Sequence, residues 1–207
     1  MKCITVKSFE DTNNRTVMLS DFINSSTVAT VKKDFLDIIN KDLSTFNDNY
    51  TELCSINEEV AEAYANTVKF PPVYFDINSP GGCVYDGLAI YDFIREINMK
   101  GNHTIIAKLD GSVASMATIV MLACNERIAG KNTSFLIHSI SSIEYGKLMD
   151  LVDSVKEIER LTNILHKIYI ENTNLTEDML EDIDKLKKDR WIDSTEALKL
   201  GLITKIR

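Results

Sequence analysis

The chain has 207 residues and a formal charge of −8, with 44% hydrophobic and 26% charged residues. That balance suits one soluble globular domain spanning 1–207, long enough to bury a sizeable core. It lacks the basic face that nucleic acid or an anionic lipid surface requires, so neither is an expected partner.

Four widely separated cysteines, Cys3, Cys54, Cys83 and Cys124, show no paired spacing and read as reduced, mostly buried thiols rather than as a metal site. Residues 1–7 lack the apolar core of a signal peptide, and the longest apolar run, around 113–124, is too short to span a bilayer. A cytoplasmic location is therefore expected.

Residues 1–14 read as a loose or hairpin-like arm before a strand at 16–19. Ser25-Ser26 then cap a helix in which Val28, Val31, Phe35, Ile38 and Ile39 recur at helical spacing and which ends near Asn40-Lys41. The connection over 41–71 is polar at first, helical over 56–67, and broken by Lys69-Phe70-Pro71-Pro72. A strand follows at 73–77, and Asn78-Ser79-Pro80-Gly81-Gly82 demands a tight turn before a helix at 84–99.

The β-branched stretch 104–109 predicts a buried strand, Asp110-Gly111-Ser112 a turn, and 116–123 a helix apolar nearly all round. Another strand is predicted at 134–138. This alternation implies a mostly parallel sheet with covering helices. Residues 146–172 carry an apolar stripe from Leu148 to Ile168 that outlasts what one small sheet can cover, so this helix should project and pack on another subunit. An acidic then basic helix over 176–188 comes next, followed by Trp191-Ile192. A helical turn over 194–200 then stops at Gly201, and Leu202-Ile203 reads as a surface strand.

Ends of parallel strands gather on one side of a sheet, where sites form. Three of these loops hold residues able to act together. Ser115 opens a helix, beside unpaired N–H groups and the positive end of the helix dipole, which suits a nucleophile whose attack creates an oxyanion. A serine in that position is also the commonest kind of helix cap. The glycines let backbone amides approach a carbonyl, so Gly82 and the Met116 amide can form an oxyanion hole, although two glycines alone also describe an ordinary turn. His138 lies far enough past Ser115 for one helix and a return strand to bring it back as general base; a lone histidine in an apolar strand is otherwise a core residue. His103 precedes a strand at the opposite end, and His166 on the long helix suits a solvated or interface role. The acidic cluster Glu177, Asp178, Glu181, Asp182 and Asp184 fails as a calcium loop, since Lys187 stands where glycine is required. No metal or cofactor site is expected.

The motifs Asn78-Ser79-Pro80-Gly81-Gly82, Gly111-Ser112-Val113-Ala114-Ser115-Met116-Ala117 and Phe135-Leu136-Ile137-His138, with Trp191 to Leu202, resemble the Clp protease proteolytic subunit family, phage head-maturation relatives included. The likeness covers roughly 16–40 and 72–207. It implies an α/β, crotonase-like fold, peptide-bond hydrolysis, Ser115 as nucleophile, His138 as base, and the amides of Gly82 and Met116 as the oxyanion hole. It also implies a homo-oligomer of two stacked seven-membered rings joined through the handle helix at 146–172, polypeptide substrates, and an AAA+ unfoldase ATPase as partner. Two departures stand out. The connection over 41–71 is longer than the family's, and counting back from Trp191 to the family's triad acid lands on Lys185. Adjacent Asp184 is the first choice, with Asp182 and Asp189 in reserve. Two alternatives stay open: a catalytically weak scaffold subunit, and a crotonase-type acyl-CoA enzyme sharing the fold.

Overall fold

A computed structural model describes residues 6–9, 15–186 and 189–207. A seven-stranded sheet organises it. Along one path run β1 (Thr16–Leu19), β2 (Val73–Ser79), β3 (Ile105–Ala114), β4 (Glu126–Ala129) and β7 (Lys205–Ile206), each parallel to its neighbour. β5 (Ser134–Ile137) leaves that path. It pairs parallel with the last residues of β3, beyond the stretch that pairs with β4, and antiparallel with β6 (Arg190–Asp193). The long β3 thus serves two short partners in succession. Alternate residues Val73, Phe75 and Ile77 of β2 and Ile105, Ala107 and Leu109 of β3 are buried in one core.

α1 (Ser25–Cys54) is capped by Asn24, whose side chain accepts from the Ser26 and Thr27 amides, so the cap lies one residue before the predicted pair of serines. It does not stop near residue 40. Its polar second half stays helical because Asp42 and Asn49 turn inward and find partners there. Asp42 receives both terminal nitrogens of Arg15 at 2.7 Å and lies 2.8 Å from His103 Nε2, while Arg15 also donates to the carbonyls of Pro71 and Pro72. All three of these charged or polar side chains are buried. Asn49 binds the backbone of Lys7 and the Tyr64 hydroxyl, joining α1 to α2 (Glu58–Thr67). Only Lys7 and its neighbours Val6, Ser8 and Phe9 of the expected arm at 1–14 fall among the described residues.

α3 (Val84–Met99) matches its predicted span and buries Ile90, Ile94 and Ile97. The turn predicted at Asp110-Gly111-Ser112 lies instead inside β3. Ile77 faces Leu109 but Ser79 faces Val113, so the extra length is absorbed as a bulge. Gly111 adopts φ 60° there, and the Asn78 carboxamide accepts from the Ser112 amide at 3.1 Å. β4 has no counterpart among the predicted strands.

α4 (Met116–Leu122) is buried at every position, as its composition predicts. α5 (Leu148–Asn172) buries Leu161, Ile168 and Tyr169 in its second half and leaves Leu148, Met149 and Val155 more than half exposed in its first. α6 (Glu177–Leu186) and α7 (Ser194–Lys199) complete the chain. Leu202 and Ile203 are core residues rather than a surface strand, and the closing strand is Lys205–Ile206. Cys54 and Cys83 are exposed and Cys124 is buried, so the thiols among the described residues are less hidden than expected; Cys3 lies outside them.

Candidate active site

Ser115 is the sole residue between β3 and α4, so the chain reverses at one position. Its backbone takes φ 54° and ψ −126°, and among the described residues no other non-glycine has positive φ. Such a conformation costs about 1–3 kcal/mol and persists only where the surroundings over-determine it. Those surroundings are visible. The Ser115 amide donates to Leu136 at 2.8 Å, and its carbonyl accepts from the Thr118 amide at 2.9 Å and the Thr118 hydroxyl at 2.6 Å. The Thr118 hydroxyl is itself paired with the Tyr169 hydroxyl of α5. Burial pushes the Tyr169 phenol upward against a smaller pull from Thr118, so it remains a neutral hydroxyl. The Ser115 side chain makes no capping hydrogen bond. The reading of a helix cap is thereby excluded, because a capping serine accepts from the first-turn amides with extended φ/ψ.

Small neighbours permit the elbow. A Cβ added to Gly81 would stand 2.6 Å from the Ala114 carbonyl oxygen, 2.7 Å from Ser115 Cβ and 2.8 Å from Met116 N. The Gly81-Gly82-Cys83 segment is strapped to Ile23, whose amide donates to Gly81 O at 2.8 Å and whose carbonyl accepts from Cys83 N at 2.9 Å. The Gly82 amide takes no part in that pairing, and Met116, at the first position of α4, has no intrahelical acceptor. Two free N–H groups therefore stand beside the serine.

A cavity of about 360 Å³ brings Gly82, Ser115, Met116 and His138 into one wall, with Phe22, Ile119 and Leu165 supplying apolar surface. His138 follows β5 directly and is half-buried. Among the described residues its ring makes no hydrogen bond or ion pair, and neither does the Ser115 hydroxyl.

Asp184, on α6, does not line that cavity. Its Oδ2 lies 3.1 Å from Nε2 of His166, whose Nδ1 lies 3.5 Å from Glu177 Oε1. His138, His166 and Asp184 instead share a second, much smaller cavity of about 20 Å³. The reserve carboxylates Asp182 and Asp189 are exposed and line neither cavity. His166 is mostly buried and faces Glu177 and Asp184 rather than standing solvated, and His103 sits in the distant Arg15–Asp42 cluster. The supports supplied by Thr118, Tyr169 and His166 were missed; the one signal was that His166 and Tyr169 fall three residues apart on the inward side of α5. Among the described residues no cluster of three metal-ligating side chains occurs, and no helix is long and apolar enough to cross a membrane.

The family model for the Clp protease matches residues 63–207. The chain belongs to the Clp protease family. Relatives of this family member include ATP-dependent Clp protease proteolytic subunit 2 of Pseudomonas aeruginosa, 34% identical over 65% of each chain. Proteolytic subunit 1 of Protochlamydia amoebophila is 32% identical over 65% of each chain, and the subunit of Deinococcus radiodurans is 34% identical over 63% of this chain and 62% of its own. The match thus spans under two thirds of each of these relatives. In structure, an asparagine-to-aspartate variant of ClpP1 from Listeria monocytogenes superposes with a TM-score of 0.68 at 25% identity, covering 94% of this chain and 92% of that one. The match to the Clp protease family begins inside α2, whereas the superposition covers 94% of the chain.

Proposed function

We propose that this Clp protease family member is a serine endopeptidase with Ser115, His138 and Asp184 as its triad. The observation that carries the reading is the strained elbow at Ser115 in the wall of a cavity shared with His138. Ser115 Oγ attacks the scissile carbonyl carbon as the His138 ring takes its proton. The oxygen that gains charge accepts hydrogen bonds from the Gly82 and Met116 amides. His138 returns the proton to the leaving amine, and a water molecule then repeats the sequence to release the acyl group. Asp184 orients the His138 ring and stabilises its cation. It is preferred to Asp182 and Asp189 because it alone of the three shares a cavity wall with His138.

The exposed apolar first half of α5, extended by Ile143 and Tyr145, supports packing on a further copy of the chain. Stacked seven-membered rings in the cytoplasm would enclose the active sites, with polypeptide fed by an AAA+ unfoldase ATPase or drawn from phage capsid components. No cofactor takes part in the sequence of steps. Ser115→Ala should abolish peptide cleavage and fluorophosphonate labelling with folding intact; labelling that survives this change refutes the assignment. A second reading, a weakly active scaffold subunit, is favoured by the absence of any carboxylate at hydrogen-bonding distance from the His138 ring among the described residues. Robust peptidase activity of the purified homo-oligomer excludes it.

A further inference from the structure

His166 is a nearly buried histidine that the reaction does not use, and it holds the one carboxylate that the reaction needs. We propose that His166 is a positioning residue, fixing Asp184 through Oδ2 so that Oδ1 is presented to His138. The inference rests on the serine-peptidase reading.

Glu177 and Asp184 stand seven residues apart on α6, two turns along one face, and both reach the same imidazole on α5. The ring is therefore clamped edge to edge, with its orientation set by two carboxylates. The clamp is needed on the Asp184 side. That side chain is 29% exposed against 12% for His166, so without a partner its carboxylate would spread over solvent-facing rotamers. An ionised carboxylate accepts at two oxygens, so the contact of Oδ2 with His166 leaves one oxygen for a donor. The cavity that both histidines and Asp184 help to line, about 20 Å³, has room for about one water molecule. A single bridging water, or closure of that gap on substrate binding, completes the link to His138. The titratable groups around His166 are Glu177, Glu181 and Asp184 from α6, His138 from the segment after β5 and Tyr169 from its own helix, which also contributes Thr162 to the same cavity.

The test uses the full-length protein with two substitutions. His166→Phe keeps a planar ring without the donor, and His166→Gln keeps an N–H at the position of Nε2. On a fluorogenic peptide, His166→Phe should lower kcat roughly 10- to 100-fold, less than loss of the acid itself, with KM within about twofold. His166→Gln should recover kcat to within about threefold of the parent, since it restores an N–H facing Oδ2. Parental kcat in His166→Phe, or a His166→Gln as slow as His166→Phe, overturns the proposal. If His166→Phe fails to assemble, the donor-free His166→Ala, Asp184→Asn and the double variant Asp184→Asn/His166→Ala decide. A residue acting only through Asp184 adds no further loss, and an additive loss overturns the proposal. Fluorophosphonate labelling of the parent at Ser115 separates the two failures. If labelling is present and the His166 variants behave as the parent, only this inference falls; if it is absent, the serine-peptidase reading falls and takes the inference with it.

Discussion

Replacing Ser115 by alanine and by glycine distinguishes a strained elbow from a helix cap through stability alone. A capping serine loses about 0.5–2 kcal/mol on change to alanine and only a few tenths on change to glycine. Ser115 accepts no capping bond, so its hydroxyl contributes nothing of that kind, and alanine inherits the same φ of 54°. Ser115→Ala should therefore shift stability by less than about 0.5 kcal/mol. Glycine removes the Cβ from a conformation that costs about 1–3 kcal/mol, against about 0.4–1 kcal/mol for the greater freedom of glycine in the unfolded chain. The net expectation for Ser115→Gly is a stabilisation of about 1 kcal/mol, or a rise of about 2–4 °C in Tm for a domain of this size. Urea and thermal unfolding of the three proteins, at one matched concentration because assembly raises apparent stability, provide the comparison. A loss of 1 kcal/mol or more in Ser115→Ala, with glycine no better than the parent, would refute the strain argument. Both variants should be inactive, so glycine would raise stability while removing function.

Gly81→Ala places a Cβ at φ 90° within 2.8 Å of the Ala114 carbonyl oxygen, Ser115 Cβ and Met116 N, and should reduce kcat by about 100-fold through displacement of the nucleophile and an oxyanion donor, read by steady-state cleavage. Burial pushes the Cys124 thiol up to about 12, so in a Cys3→Ser background Cys54 should react with Ellman's reagent at pH 8 and Cys124 only after denaturation. Burial alone would raise the Asp42 carboxyl, but hydrogen bonds from His103 and Arg15 together with their charges outweigh it and hold it below the usual carboxylate range. Its ionised form thus contributes stability above the unfolded value near 3.8, lost as pH falls through the folded value. Asp42→Ala should destabilise by about 3–5 kcal/mol at pH 7, with the gap to the parent narrowing below about pH 4 in urea midpoints.

Periodicity revealed the elements whose burial is apolar. β2, α3, α4 and the long helix α5 stand where their sequences put them, and the mostly parallel sheet follows from their alternation. The second half of α1 escaped because Asp42 and Asn49 bury polar side chains against Arg15, His103, Lys7 and Tyr64, an arrangement that no hydrophobic pattern records. β4 reads Glu-Arg-Ile-Ala, with a single β-branched residue, and becomes a strand through its parallel pairing with β3. At the candidate site, the meeting of Ser115, His138, Gly82 and Met116 at one cavity was legible because each lies at the end of a strand or the start of a helix that the pattern marks. Asp184 is different. Its placement depends on how α6 packs on α5, with Leu180 and Ile183 buried in the core and His166, given a solvated or interface role on the long helix, in contact with Asp184.

The bulge in β3 gives the chain ahead of the serine length to spare. Between the pairs Ile77/Leu109 and Ser79/Val113, β3 advances by four residues while β2 advances by two, and Leu109 and Val113 are both buried. The surplus is taken up where Gly111 turns to φ 60°, with Asp110 and Gly111 both exposed, so the alternation of faces is interrupted and then restored before the elbow. A deletion among Asp110, Gly111 and Ser112 should therefore draw first on this slack, leaving the pairing of Ile105 to Leu109 with β2 in place.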